Sequence, residues 1–187
     1  MSASTIVTFT GKTVDPLAIA LDAIWIEDIA HHLSQLCRFT GATRAFYSVA
    51  EHSVRVSMMA ERMAPTRADG PLFGLYGLIH DGSEAYLCDV ARPVKMSDAF
   101  ADYRTIEADL QAHIYRRFGL SPTLPAEVVA ADDLMLAVEF RDLMTNPPRS
   151  FVDTAANLAT IRPMSPISAE AKFLARFEEL GGWHHAS

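Results

Sequence analysis

The chain has 187 residues, half of them hydrophobic, and a formal net charge of −7. We expect a protein of this length to fold as one domain, residues 1–187, around a single large core. The acidic balance counts against a nucleic-acid polymer as partner, because a broad binding face needs clustered Lys and Arg. A small anionic substrate stays open, since a metal ion and a few local cations can hold it.

The cysteines and the N-terminus favour a reducing compartment. Cys37 and Cys88 are the two cysteines and do not form a CxxC pair, so no disulfide framework is expected. The first ten residues lack the basic segment and apolar run of a signal peptide. The apolar stretches at residues 17–26 and 72–79 are broken or too short to span a bilayer. We therefore expect a cytoplasmic protein without a membrane partner.

The pattern along the chain is mainly helical. β-Branched residues around Gly11 predict a short hairpin within residues 5–14. Ser48 and Glu51 have the spacing of a capping box, which marks the start of a helix. Helical periodicity and the Gly or Pro residues that end it predict helices at residues 27–36, 49–63, 72–87, 103–118, 125–144 and 168–180. The sequence thus predicts an all-α bundle of about six helices with a small N-terminal β-hairpin.

Ionisable residues interrupt the most apolar of these helices. His80 and Asp81 lie within it, and Glu84 follows His80 by four residues, one turn of helix. Burial of such groups without a partner is costly, and a divalent metal ion is one partner that imidazole and carboxylate accept. His52 lies on the apolar stripe of a preceding helix, and Asp132 lies on that of a later one. Four ligand-type residues would then point inward from three helices, as in a bundle metal site.

Each residue taken alone also has a structural interpretation. An inward histidine such as His52 is more often a hydrogen-bonded core residue than a metal ligand. A His-Asp dipeptide is common, and Asp132 would also suit a helix cap. From the residue pattern, the metal site and these structural roles both stay open.

Three segments together match a known signature. They are Ala50-Glu51-His52-Ser53, Leu78-Ile79-His80-Asp81-Gly82-Ser83-Glu84-Ala85 and Ala131-Asp132. The chain resembles the HD superfamily of metal-dependent phosphohydrolases, whose signature is H...HD...D. Within it, the chain is most similar to the branch of 5'-deoxynucleotidases and phage-type deoxynucleoside triphosphate hydrolases. That branch has a His-Asp-x-Ser-Glu motif and then a Gly/Cys-Asp-x-x-x-Pro-Val-Lys loop, here Cys88-Asp89-Val90-Ala91-Arg92-Pro93-Val94-Lys95. The resemblance covers roughly residues 24–142.

The resemblance implies roles for individual residues. One divalent ion (Co, Mn, Fe, Ni, Zn or Mg) would be held by His52, His80, Asp81 and Asp132. A second ion recruited by substrate phosphates stays open, although few further histidines lie between the motifs. Glu84 would position or deprotonate the attacking water, and Asp89 would accept a hydrogen bond from a sugar 3'-hydroxyl.

Three further residues are implied to bind substrate. Arg38 and Lys95 would contact phosphate, and Phe39 would shape the sugar and base pocket. The branch carries an Arg-Trp pair where this chain has Arg38-Phe39, and the spacing to the histidine is one residue shorter. The structural interpretations are a surface Arg beside a core Phe, and a solvated Lys.

The resemblance implies hydrolysis of deoxynucleoside 5'-monophosphates to deoxynucleoside and phosphate. Removal of triphosphate from a deoxynucleoside triphosphate at the same site is the nearest alternative. Di-iron oxygenase chemistry and a non-catalytic nucleotide-sensing module are the alternatives from other classes. The apolar helix faces also predict a homo-oligomer, a dimer or larger.

Overall fold

The computed structural model describes residues 4–185, with side chains described up to residue 183. Near the N-terminus, β1 (Ile6–Val7) pairs antiparallel with β2 (Thr13–Val14), and Gly11 in the turn has a φ of 84°. The backbone N–H and the hydroxyl of Thr10 both donate to the carboxylate of buried Asp28, which attaches the hairpin to the first helix. The hairpin predicted for residues 5–14 is therefore confirmed.

Six helices of ten residues or more lie within residues 4–185, which confirms the predicted all-α bundle. In chain order the helices are α1 (Ile26–Gln35), α2 (Val49–Met63), α3 (Gly70–Ile79), α4 (Glu84–Leu87), α5 (Arg92–Lys95), α6 (Ala101–Arg117), α7 (Ala126–Leu143), α8 (Arg149–Thr154), α9 (Pro166–Glu179) and α10 (Gly182–His185). Single 3₁₀ turns occupy Leu21–Ala23, Arg38–Gly41 and Asp98–Phe100. Among the described residues, none of the helices combines the length and apolarity needed to cross a bilayer.

Helices α2 and α3 form the most extensive helix pair in the described part of the chain. Ser48 caps α2 as predicted, because its hydroxyl accepts the N–H of Glu51 at 3.1 Å. The pair is closest at Gly77, where a Cβ would lie 2.9 Å from the Cα of Ser57. Since no side chain separates the two backbones here, residues that follow Gly77 are held close to α2.

The long helix predicted for residues 72–87 is divided in two. Helix α3 ends at Ile79, residues 80–83 form turns, and α4 begins at Glu84. The Gln111 side chain of α6 inserts at this break: its amide donates to the Ile79 carbonyl at 2.8 Å, and its oxygen accepts the Ser83 N–H at 2.9 Å. A side chain thus takes backbone groups that a continuous helix would pair internally. The break places His80 and Asp81 at a helix end, beside a cleft.

The core is continuous around these helices. Its largest fully buried side chains include aromatic residues from α9 and the end of α6, and aliphatic residues from α1 and α3. Phe118 and Phe177 meet edge to face with ring centroids 5.3 Å apart. This packing holds α1, α2, α3 and α9 together and leaves one side of α7 toward the cleft.

Candidate metal centre

Ligand atoms from α2, α7 and the α3–α4 break converge on one point. His52, His80 and Asp132 each offer an atom, and these atoms all lie within 4.8 Å of one another. His52 Nε2 is 3.3 Å from His80 Nε2 and 3.1 Å from Asp132 Oδ1. Asp81 Oδ2 adds a fourth atom, 3.3 Å from His80 Nε2 and 3.6 Å from His52 Nε2. Ligands at 2.0–2.2 Å from one ion lie roughly 3 to 4 Å apart, so the residues fit a divalent transition-metal ion.

Both histidines are held by their Nδ1 atoms. His52 Nδ1 is 2.6 Å from Glu139 Oε1, and His80 Nδ1 is 2.9 Å from the Gly77 carbonyl. With the Nδ1–H donating to these acceptors, the Nε2 atoms face the common centre, where each neutral ring offers its lone pair to a metal ion. Partners of this kind fix the tautomer and the ring orientation of metal-ligating histidines. The donor set is therefore oriented for a cation.

A buried ionic network surrounds the four ligand-type residues. Arg38 lies 3.4 Å from Asp81 and 3.3 Å from Glu139, and the Glu139 side chain is fully buried. Burial and Arg38 both lower the pKa of His52, but Glu139 and Asp132 raise it to about 9. Burial alone would raise the pKa of Asp132, yet the contact with the His52 ring lowers it below its usual range. The charges around this ring therefore stabilise a cation.

Glu139 was not predicted to have a role. It lies seven residues after Asp132, two turns along the same stripe of α7, and this spacing was the available signal. Its carboxylate contacts both His52 and Arg38, so it joins a candidate ligand to a partly buried cation. Burial raises the pKa of Glu139, but His52 and Arg38 lower it below the usual value. Glu139 is therefore ionised beside His52.

Glu84 lies beside the centre at the start of α4. Its side chain is buried, and its Oε2 atom has no hydrogen-bond partner within the described residues. Burial, together with Asp81 and Asp89, raises its pKa well above the usual value, although Lys95 opposes this. An unpartnered buried carboxylate oxygen is costly unless water or substrate binds it. This property suits a general base.

A cleft of about 670 Å³ opens at the centre. This volume lies within the roughly 300–1,000 Å³ range of small-molecule sites. Every residue predicted for catalysis or substrate binding lines it, as do two of the four predicted metal ligands. The lining includes Arg38, Phe39, Asp81, Glu84, Asp89, Arg92, Lys95, Asp132, Leu136 and Phe140. His52 and His80 lie beneath this surface, with side-chain exposures of 0% and 6%.

The predicted substrate-binding residues occupy different parts of this cleft. Lys95 Nζ lies 2.7 Å from Glu107 and 3.5 Å from Glu84, so it is ion-paired at the cleft wall. The Phe39 ring lies 5.1 Å from the Arg38 guanidinium and meets Phe140 edge to face at 5.5 Å. The Phe39 side chain thus forms an aromatic wall beside the cation.

Two of three non-glycine residues with positive φ line the cleft, and the third directly precedes the lining residue Asp89. The three are Phe39 (55°), Thr40 (51°) and Cys88 (72°), and within the described chain the other positive-φ residues are glycines. This conformation costs of order 1–3 kcal/mol for a non-glycine residue and clusters at functional sites. Cys88 immediately precedes Asp89, whose pKa is raised mainly by burial. Strained backbone thus occurs at two residues of the cleft lining and directly before a third.

The fold and site define an all-helical protein with a candidate mononuclear metal centre in a cleft. The chain belongs to the family of the uncharacterized protein YfdR of Escherichia coli (strain K12). The two are 35% identical over 181 residues, which cover 95% of this chain and 96% of YfdR. An uncharacterized protein of Rhodobacter capsulatus is 37% identical over 124 residues, covering 65% of this chain and 62% of that protein. No family model matches the chain.

Proposed function

We propose that this protein is a metal-dependent phosphohydrolase of the HD superfamily that acts on deoxynucleoside 5'-monophosphates. One observation carries the proposal. Two histidines with fixed Nδ1 atoms meet two aspartates beside an unpartnered, buried Glu84 oxygen in a cleft of nucleotide size. A structural histidine cluster would need neither the open cleft nor the unpaired carboxylate oxygen.

The chain's own residues would divide the work of hydrolysis. A divalent ion held by His52, His80, Asp81 and Asp132 would supply a Lewis acid that lowers the pKa of water and stabilises charge on phosphoryl oxygens. Glu84 Oε2 would accept a hydrogen bond from the attacking water, and the raised pKa of this carboxylate makes it a stronger base than an exposed glutamate.

Asp89 and the Phe39 wall would bind the nucleoside. Asp89 lines the cleft next to the positive-φ residue Cys88, is half-buried and has no hydrogen bond or ion pair within residues 4–185, so its carboxylate can accept a sugar 3'-hydroxyl. Phe39 and Phe140 offer an apolar surface for sugar and base. We assign Arg38 chiefly to holding Asp81 and Glu139, since both carboxylates already engage it.

The charge of the cleft lining favours a substrate with one phosphate group over a substrate with three. Its lining carries three cationic and four carboxylate side chains. A divalent ion would bring the set close to neutrality, which suits a monophosphate dianion. A triphosphate would add about two further negative charges to the same space, with no further cation among the described lining residues.

A substrate and metal screen tests this proposal. Metal-stripped protein would be reloaded with Mn, Co, Ni, Zn or Mg and assayed with deoxynucleoside mono- and triphosphates, with the products separated by chromatography. We expect deoxynucleoside and phosphate from a monophosphate. Glu84→Gln should lower turnover by roughly 10²- to 10⁴-fold, whereas Glu179→Gln, on an exposed surface, should not.

Other outcomes would identify the alternatives. Intact triphosphate from a deoxynucleoside triphosphate would show the triphosphohydrolase reaction. Two irons per chain would support oxygenase chemistry. Tight nucleotide binding without turnover by any metal form would support a sensor. Unchanged hydrolysis in Glu84→Gln or Asp81→Ala would refute the assigned site.

We further propose that the protein forms a homo-oligomer in the cytoplasm. Large apolar side chains are exposed in and after the hairpin and at the start of α9, among them Phe9, Leu17 and Ile167. Exposed apolar surface of this kind is often covered by another subunit. Light scattering coupled to gel filtration would give the mass, and a mass of one chain would contradict the oligomer.

A further inference from the structure

The three cations that line the cleft differ in what already engages them. Arg38 contacts Asp81 and Glu139, and Lys95 contacts Glu107 and Glu84. Their charge is largely compensated by carboxylates before any substrate arrives. Arg92 is exposed and makes no ion pair or side-chain hydrogen bond within residues 4–185. It is therefore the cleft cation with uncompensated charge.

The backbone around Arg92 is held rigidly from both sides by α6. The Tyr103 hydroxyl donates to the Cys88 carbonyl at 3.2 Å, ahead of Arg92. Beyond it, the Arg104 guanidinium donates to the carbonyls of Lys95 at 2.6 Å and Ser97 at 2.7 Å. The φ of the next residue is also fixed, because that residue is a proline. The Arg92 side chain is thus carried on a preorganised rim, which lowers the entropic cost of binding through it.

Arg92 supplies positive charge to a cleft in an acidic protein. With a net charge of −7, the protein as a whole repels an anionic substrate. The cleft lining itself contributes four carboxylates against three cations. An exposed guanidinium at the opening offers a local positive field and a planar fork that matches two phosphate oxygens.

We propose that Arg92, on the rim of the cleft, contacts the phosphate of a substrate bound at the metal centre and sets the affinity of the site for phosphorylated ligands. The inference rests on the proposed function for its substrate class. It assigns phosphate capture to Arg92, and it leaves Arg38 and Lys95 as residues that hold the carboxylates of the centre.

Three variants test the assignment: Arg92→Gln, Arg92→Lys and the control Arg116→Gln, which removes an exposed cation from α6. For Arg92→Gln we expect kcat/KM for deoxynucleoside monophosphates to fall roughly tenfold, mainly through KM, as for a partly exposed charged hydrogen bond. Arg92→Lys should fall between the wild type and Arg92→Gln, because it keeps the charge and loses the fork. Raising the salt concentration should reduce the difference in kcat/KM between the wild type and Arg92→Gln, because salt screens an exposed charge.

A binding measurement separates this inference from the proposed function. Titration calorimetry of the Mn²⁺-loaded protein with inorganic phosphate should give a Kd roughly tenfold higher for Arg92→Gln than for the wild type. If the wild type hydrolyses no nucleotide, the proposed function fails while this comparison still decides the role of Arg92. An equal Kd for the two proteins, or a KM within twofold of the wild type, would overturn the assignment.

Discussion

Replacing Glu139 by Gln should weaken metal binding without removing a candidate ligand. The carboxylate accepts the Nδ1–H of His52 at 2.6 Å and contacts Arg38 at 3.3 Å, and the side chain is fully buried. Gln keeps the shape and one acceptor oxygen, but it loses the negative charge and presents an NH₂ group to one of the two partners. His52 then loses basicity, and its ring is less firmly oriented.

The expected magnitude follows from this change. Loss of an outer carboxylate partner lowers metal affinity by roughly 10- to 100-fold, or about 1.4–2.8 kcal/mol. The variant should also lose about 1–3 kcal/mol of metal-free stability, because His52 and Arg38 lose a charged partner. The loss is limited because Arg38 keeps its contact with Asp81.

The matched control is Glu51→Gln, on the same helix as His52. Glu51 is also fully buried and ion-paired, but with Arg55 at 2.7 Å and with the Met164 N–H. Chelator competition with Mn²⁺ or Co²⁺ would give the affinities, and urea unfolding of metal-free protein would give the stabilities. We expect both variants to lose stability and only Glu139→Gln to lose affinity. Equal Mn²⁺ affinities in wild type and Glu139→Gln would refute the orienting role.

The remaining predictions concern stability, pH and packing. The raised pKa of Glu84 means that the folded state binds its proton more tightly than the unfolded state, so its stabilising contribution is present at acid pH and is lost as pH rises. Glu84→Gln should therefore unfold at equal or higher urea concentration than wild type at pH 8, and a clear loss there would contradict this. Arg38→Met should lower metal-free stability by about 3 kcal/mol, since it removes the guanidinium that contacts the buried Glu139 carboxylate and the partly exposed Asp81 carboxylate. Added Mn²⁺ should raise the Tm of this variant more than that of the wild type, because the ion supplies positive charge that Arg38 no longer provides. An equal rise in Tm would refute this reasoning. Gly77→Ala should cost about 1–3 kcal/mol, because its Cβ meets the α2 backbone. In thermal unfolding, Gly77→Ala should lower the Tm more than Gly74→Ala does, because the added Cβ at residue 74 meets only the end of the flexible Leu180 side chain. A larger loss in Gly74→Ala would contradict the close approach of α2 and α3 at Gly77.

Local signals predicted the helices and the inward-facing residues. The Ser48 cap and the apolar stripe of α2 predict that His52 faces the inside of the bundle, and its side chain is fully buried. The stripe of α7 likewise placed Asp132, and the structure shows it in the helix interior rather than at the cap. Period and capping are properties of neighbouring residues, so sequence alone can report them.

Features that depend on distant partners were not predicted. The break between α3 and α4 is made by Gln111, about thirty residues further along the chain, which gives no local signal beyond Gly82. The contact between Glu139 and His52 likewise joins residues 87 positions apart. The sequence predicts that Lys95 contacts phosphate, but it gives no sign of the ion pair with Glu107, which lies on another helix. Pairings of this kind depend on tertiary packing and carry no sequence period.

The order of the helices along the chain has a consequence for folding. His52 lies on α2 and His80 directly follows α3, the helix that packs most closely on α2, whereas Asp132 lies on α7, beyond α6. The imidazole half of the centre can therefore form from local contacts alone, early in folding, while the aspartate joins it only after a longer loop closes. An ion bound to both histidines and to Asp132 would cross-link α7 to α2 and α3, and it would selectively slow the detachment of α7. Hydrogen exchange in α7 should then respond to metal more strongly than exchange in α2.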